Sequence, residues 1–415
     1  MSAPLRICID ARDVACKTGG TATFALSLAR ALSNLDDGDE QYTFLVGAGD
    51  GPYLEQQLQR SLLILESAPA HRSLARRAAA HIPFARSMAH RLERRVGIEV
   101  PRSDGTIERN NIDVMHFTTQ GGFLTDIPFI YHPHDLQHRH LPHFFTPRKR
   151  ATREYQYSTL CQHASIVCVV SEWGKQDLLG SFNLPESKVH IVNFAPDPTV
   201  CSRTDPNTVK ATRLKLSLPE RFILYPARTW PHKNHRRLFQ ALKILRDQDG
   251  LTIPLVCSGE PTEFYANLKA EAEALDISEQ VSFVGFVELN ELRALYELCV
   301  AVVIPTLFEA GSFPLWEAFL SQRPAACSNV TSLPAQAGDA ALVFDPYKEE
   351  EIAGAVKRLW TESDLRSTLV QRGTSNVSRY SWDTTARTFR ALYRRLGNRQ
   401  LTPEDQRLLS AAPLM

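Results

Sequence analysis

With 415 residues, 43% hydrophobic and 22% charged, the chain is a soluble globular type with more apolar side chain than one ordinary core takes up, so two or three domains are expected. A formal net charge of +1 gives no overall bias toward nucleic acid, and no apolar run approaches the ~20 residues of a membrane span. The opening MSAPLRICIDARD enters a strand without the apolar core of a signal peptide, and the eight cysteines, none in Cys-x-x-Cys spacing, read as reduced thiols, which together predict a cytoplasmic protein.

Residues 5–10 read as the first strand, followed by a polar loop with Gly19-Gly20-Thr21, a helical pattern over 23–32 and a strand over 42–46. Strand, Gly-Gly loop, helix, strand is a Rossmann-type start, although the full Gly-x-Gly-x-x-Gly is absent. From 67 to 103 eight arginines face two glutamates, a local excess of six positive charges, with apolar residues at roughly helical spacing. Such a stretch can lie on an anionic membrane surface or meet an anionic acceptor, and a solvated helical face is the alternative. No nucleic-acid recognition motif follows it.

Residues 113–117 and 128–132 read as two further strands, the second running into His132-Pro133-His134-Asp135-Leu136-Gln137-His138. A His-x-His at a strand end suits a zinc hydrolase, but no later pair of histidines or Asp/His cluster completes a ligand shell. Segments 164–172 and 188–193 supply two more strands, and the stretch Pro196–Pro219, with four prolines and little periodicity, reads as an interdomain linker. Residues 221–225 restart the strand pattern and end in Pro226-Ala227-Arg228-Thr229-Trp230-Pro231-His232-Lys233-Asn234, before a helix over 236–246. Arg228 and Lys233 share this loop, where a fork and a compact charge suit a diphosphate; as bare basic residues they are ordinarily solvated. Strands follow at 255–260, which carries Gly259, and at 281–287.

The stretch Ile304–Leu320 organises the second half. The apolar run 301–304 reads as a buried parallel strand, a loop carries Glu309 and Gly311, and Ser312 can cap a helix with Pro314 in its first turn. Free amides and helix dipole at Gly311, Ser312 and Phe313 make an anion site. Glu309 and Glu317 flank it; Glu317, repelled by bound phosphate, suits sugar hydroxyls instead, and a capped helix with solvated acids is the alternative for the pair. Strands at 325–328 and 341–346 and helices over 350–360 and 382–396 complete the pattern. The periodicity supports an α/β protein of two doubly wound domains.

Several of these strings resemble signature segments of the retaining glycosyltransferases of family 4. Residues 304–320 resemble the family's Glu-x7-Glu segment, with Ala310, Ser312 and Trp316 as departures. His134-Asp135-Leu136 with Pro142–Arg148 resembles its His-Asp loop and sequel. Residues 164–172, with Ser165 for the usual Asp, and 188–193 resemble later strands of its first domain. Residues 227–234 resemble its G-R-x-x-x-x-K-N motif, with Ala227 for the common Gly.

The resemblance implies a GT-B fold, two Rossmann-like domains facing a central cleft: 1–196 on the acceptor side, 197–381 for the donor, and the helix 382–396 packing back onto the first. It implies sugar transfer from a nucleotide-sugar to a glycan or lipid-linked acceptor, with retained configuration and no metal or other cofactor. His134 and Glu309 would address the transferred sugar. Gly20, Arg228, Lys233, Gly311, Ser312 and Phe313 would hold the donor diphosphate, and Gly20 has a plain tight turn as its alternative. Glu317 would take the ribose, and Phe286 and Val287, at the end of the strand 281–287 where the family places the nucleobase, would contact the base, with core packing as their alternative. GDP-mannose is the favoured donor, in surface polysaccharide synthesis on the inner face of a membrane. Two other classes remain: a metal-dependent hydrolase using His132 and His134, and a non-catalytic sugar-nucleotide-binding protein of this fold; an epimerase of similar architecture is a third.

Overall fold

The computed structural model describes residues 3–12, 14, 19–58, 63–66, 98–201 and 204–415. The chain forms two compact units, one of Met1–Val169, Lys175–Val192 and Trp382–Ala412, the other of Val170–Gly174, Asn193–Ser381 and Pro413–Met415. Of the basic stretch 67–103, residues 67–97 lie outside the described residues.

The first unit is built on seven strands, β1 (Leu5–Asp10), β2 (Glu40–Val46), β3 (Leu63–Glu66), β4 (Val114–Phe117), β5 (Phe129–Tyr131), β6 (Ile166–Val169) and β7 (Val189–Ile191). They pair in the order β3-β2-β1-β4-β5-β6-β7, every pair parallel. Every residue of β4, β5 and β6 is buried, which is why they read as unbroken apolar runs rather than alternating ones. The helix Gly20–Ser33 turns Phe24, Ala25, Leu28, Ala29 and Leu32 inward. The helix Trp382–Leu396 lies beside it in the same unit, with Phe389 against Phe24 at 6.2 Å between ring centres.

The second unit has β8 (Ile223–Pro226), β9 (Leu255–Ser258), β10 (Val281–Gly285), β11 (Ala301–Ile304), β12 (Ala325–Ser328) and β13 (Ala341–Phe344). Their order is β10-β9-β8-β11-β12-β13, again all parallel. Counted within the unit this is 3-2-1-4-5-6, the Rossmann order, and it reverses between the neighbours β8 and β11. In the first unit it reverses between β1 and β4.

The expected linker is a correction. Residues 196–219 belong to the second unit and contain a 3-10 turn, Pro198–Cys201, and the helix Pro206–Lys215. Asp205 caps that helix, accepting from the Thr208 amide at 3.2 Å. Aspartate followed by proline is a helix-start signal, but the helix is so exposed that Thr212 is its one fully buried residue, and no apolar stripe announced it.

Candidate active site

In open parallel sheets, ligands sit at the carboxyl ends of the strands where the order reverses. In the second unit that means the loops after β8 and β11, which carry Arg228, Lys233, Glu309 and Gly311. Backbone and side-chain bonds lace the two loops together. Leu307 N donates to His232 O at 2.8 Å, and Tyr225 Oη to Lys233 O at 2.6 Å. Buried Asn234, at φ 60°, donates through Nδ2 to Pro305 O at 2.8 Å and Pro346 O at 2.9 Å. This lacing brings Lys233 Nζ to 2.7 Å from Glu309 Oε2, both side chains largely buried. Arg228 Nη2 pairs with Glu260 at 2.7 Å and remains 35% exposed. Gly259 beside it has φ +133°, and a Cβ there would stand 2.7 Å from the Ala227 carbonyl, so the loop closes over β9 only because that residue is glycine.

The helix after β11 runs Phe313–Leu320. Ser312 stands at its N-cap, but its side chain makes no capping bond, which corrects the expected cap. Buried Gln336 holds the position instead: its Oε1 accepts from Ser312 N at 2.8 Å and its Nε2 donates to Ser312 O at 2.7 Å. The Ser312 amide is therefore committed, which corrects its place in the anion site, and Pro314 has none. Phe313 and Leu315 carry the remaining early amides of the helix start. Gly311 is not at positive φ; a Cβ there would meet Val170 at 3.3 Å and Met415 at 3.4 Å, so close packing sets the requirement. The Glu309 peptide is fastened at both ends, its N–H to Thr331 Oγ1 at 3.3 Å and its carbonyl by the Thr331 and Ser332 hydroxyls.

Glu317, in the second turn of that helix, accepts from Tyr296 Oη at 2.6 Å. Burial raises its pKa to about 7, with Asp197 adding to the rise and Tyr296 opposing it. After β10 the two expected base contacts part company: Phe286 is 44% exposed while Val287 is 8% exposed. Val287 packs inside, a correction, and the loop offers a base Phe286 and its backbone.

In the first unit, Gly20 opens the helix after β1, but the residue at positive φ is Gly19, at 120°. His134 sits after β5 in the left-handed region at φ 60°. Its Nε2 lies 2.8 Å from Thr118 O; a carbonyl only accepts, so Nε2 carries the proton. Burial pushes its pKa down, and the ring stays neutral. It stacks on His132 at 5.5 Å. His132 Nε2 meets His116 Nε2 at 2.8 Å, and His116 Nδ1 meets Tyr393 Oη at 2.6 Å. Burial, seconded by His134, pushes the His116 pKa down to about 3. Among the described residues no group of three or more His, Cys, Asp or Glu is placed to hold a metal ion, so the hydrolase reading gains no support from His132 and His134.

Three residues central to this geometry escaped the sequence reading, Tyr296, Thr331 and Gln336, and a fourth, Asn234, is named there as part of a motif without a role. Asn234 stands beside Lys233 in the loop, and an asparagine before a helix is a signal for a left-handed residue. The other three carry no local signal, since their partners lie 21 to 24 positions away.

Residues 18–199 match the family model described as Glycosyltransferase Family 4, and residues 210–376 the one described as Glycosyl transferases group 1. The chain is similar to the O-antigen chain mannosyltransferase B of Escherichia coli, 26% identical over 220 residues covering 53% of this chain and 58% of that protein. It is also similar to the O-antigen chain mannosyltransferase RfbU of Salmonella typhimurium, 25% identical over 223 residues covering 54% of this chain and 57% of that protein. The chain thus spans little more than half the length of these relatives. The fold is that of Anabaena Alr3699/HepE, whose crystal structure with UDP and glucose superimposes with a TM-score of 0.68 at 15% identity, over 94% of this chain and 99% of that one. The chain belongs to the family 4 glycosyltransferases of GT-B fold.

Proposed function

We propose that the protein is a retaining, metal-independent glycosyltransferase that moves a sugar, with mannose preferred, from a nucleotide-sugar to a glycan or lipid-linked acceptor in bacterial surface polysaccharide synthesis. The observation that carries this is the meeting of Arg228, Lys233, Glu309 and the Phe313–Leu320 helix start on two laced loops where the second sheet reverses order. Glycosyl transfer passes through an oxocarbenium-like state while negative charge grows on the leaving diphosphate. Arg228, Lys233 and the amides of Phe313 and Leu315 stabilise that charge from fixed positions. Glu309 orients the transferred sugar and Glu317 accepts from the ribose hydroxyls. The part of the first unit is assigned to His134, which addresses the transferred sugar. No side chain is assigned as a nucleophile, and front-side displacement is the step proposed. The mannose preference rests on the O-antigen mannosyltransferases to which the chain is similar, and GDP as its carrier on the likeness of residues 134–138 and 229–234 to strings of bacterial mannosyltransferases.

A thermal-shift screen of nucleoside diphosphates and nucleotide-sugars, followed by product NMR, tests the reading. Stabilisation by one nucleotide family, a product with the donor's anomeric configuration and turnover unaffected by a chelator are expected. An inverted product or chelator-sensitive turnover would overturn the corresponding part. Binding without turnover on any acceptor would leave the non-catalytic binding protein. Attachment to the cytoplasmic face of a membrane through 67–103 is proposed on that stretch's positive excess; no helix among the described residues is long and apolar enough to cross a membrane. Equal sedimentation with neutral and anionic vesicles would sink it.

A further inference from the structure

We propose that Tyr296 is a positioning residue for the nucleotide ribose, holding one oxygen of the Glu317 carboxylate so that the other is left to accept from the ribose hydroxyls. The inference rests on the ribose assignment of Glu317 made above.

Tyr296 lies in the helix Leu289–Leu298 and is fully buried. A buried phenol needs an acceptor, and this one is directed at a carboxylate, the stronger kind of partner. The 2.6 Å bond from Tyr296 Oη is the one side-chain hydrogen bond Glu317 makes among the described residues. A carboxylate has about four lone-pair sites, so a single phenol leaves most of its capacity for hydroxyl donors. A ribose brings two. No cation among the described residues forms a salt bridge with Glu317; the charged neighbour is Asp197, whose carboxylate opposes ionisation. Burial and Asp197 therefore act against the charged form, and the phenol is the group that favours it.

That balance separates positioning from packing. If Tyr296 only filled the core, removing its hydroxyl would lower stability and leave ribose recognition untouched. If it holds Glu317, the loss appears in the ribose contact and in the pH at which that contact forms. A protonated Glu317 becomes a donor at one oxygen and accepts more weakly at the other.

The full chain is titrated by calorimetry with GDP and 2′,3′-dideoxy-GDP, and with the uridine pair in parallel, at a pH where Glu317 is ionised. Wild type should prefer the ribonucleotide by about tenfold, the lower end for hydrogen bonds to a charged group. Glu317→Gln should lose most of that preference. Tyr296→Phe should lose at least about threefold of it while binding the dideoxy compound as wild type does. GDP-mannose, whose diphosphate does not titrate near neutrality, gives the second readout. Wild-type affinity should rise as pH passes about 7, Tyr296→Phe should move that midpoint upward, and Glu317→Gln should abolish it.

Should Tyr296→Phe not fold, incorporation of 3-fluorotyrosine, a stronger phenol donor, should move the midpoint downward in wild type and not in Glu317→Gln. A Tyr296→Phe protein with full ribose preference and an unmoved midpoint overturns the inference and leaves the ribose assignment standing, as does an unmoved midpoint in fluorotyrosine protein. Full ribose preference in Glu317→Gln removes the ribose assignment itself. Failure of both nucleotide sets to bind removes the nucleotide-sugar reading.

Discussion

Lys233 and Glu309 neutralise each other at 2.7 Å, and a diphosphate arriving at this loop competes for the lysine. Replacing Lys233 or Arg228 by Ala should weaken nucleoside-diphosphate binding by ~1.5–3 kcal/mol, the range for hydrogen bonds to charged groups; unchanged calorimetric affinity in both would remove them from the site. Glu309→Gln should do the opposite of a loop-breaking change. The loop is fastened by Thr331 and Ser332 to the Glu309 backbone, and those bonds stay when the carboxylate that meets Lys233 and Thr306 is replaced. Nucleoside-diphosphate affinity should therefore stay within about threefold while kcat falls, as for an interaction made in the transition state. A matching loss of affinity would return Glu309 to a structural role. His134→Ala should likewise lower kcat without altering nucleoside-diphosphate binding; surviving activity would move the sugar contact elsewhere. At this scale the sequence named the charged residues but not their partners. Ion pairs such as Lys233–Glu309 join positions 76 apart, and a motif carries no record of what its residues do before the ligand comes.

The helix Phe313–Leu320 shows what was legible in an element and what was not. Pro314 near its start and the buried strand before it were readable from local chemistry. The cap was not, because Ser312 satisfies every local rule for one and yet its Oγ is buried without a hydrogen-bond partner among the described residues. Gln336 bonds both backbone groups of Ser312 from 24 positions away. Ser312→Ala should change stability by under ~0.5 kcal/mol, where loss of a true cap costs ~1 kcal/mol. Gln336→Ala should cost roughly 1–3 kcal/mol, because it strands the buried Ser312 N–H while the Ser312 C=O keeps the Trp316 N–H at 3.4 Å. Urea denaturation of both variants checks the pair; a costly Ser312→Ala with a mild Gln336→Ala would restore the simple cap. The helix Pro206–Lys215 failed to show for a related reason. A helix that buries so little writes no period into its sequence, whereas inner strands such as β4, β9 and β11, buried on both faces, wrote theirs as apolar runs.

Over the whole molecule, acids of opposite character contribute, beside the buried histidines, to how stability follows pH. In the first unit, hydrogen bonds from Arg390 and Arg387 hold the Asp37 carboxyl well below the usual range. Its unfolded counterpart takes up protons first on acidification, so its contribution is present above pH ~4 and disappears as pH falls below that. Arg390 belongs to the helix Trp382–Leu396, so what acid weakens is the fastening of that helix to the loop before β2. Glu317 runs the other way. Burial raises it from 4.5 to about 7, so between these values the folded state holds a proton that the unfolded state has released, and its contribution declines as pH rises through that window. The buried histidines His116 and His134 are held below their ordinary range and add stability as pH rises toward 7, so Glu317 is read as a difference between proteins: wild-type Tm should fall on acidification below pH ~4, and the Tm of Glu317→Gln relative to wild type should rise from pH ~5 to 7. Asp37→Asn should make the acidic fall shallower, and Glu317→Gln should change its Tm difference from wild type between pH ~5 and 7, as measured by calorimetric melting in buffers of low ionisation enthalpy. A Glu317→Gln protein whose Tm difference from wild type stayed constant between pH ~5 and 7 would place the titrating acid elsewhere. It would also remove the reason to expect donor affinity to rise over the same window, because stability and donor affinity then would not share one proton.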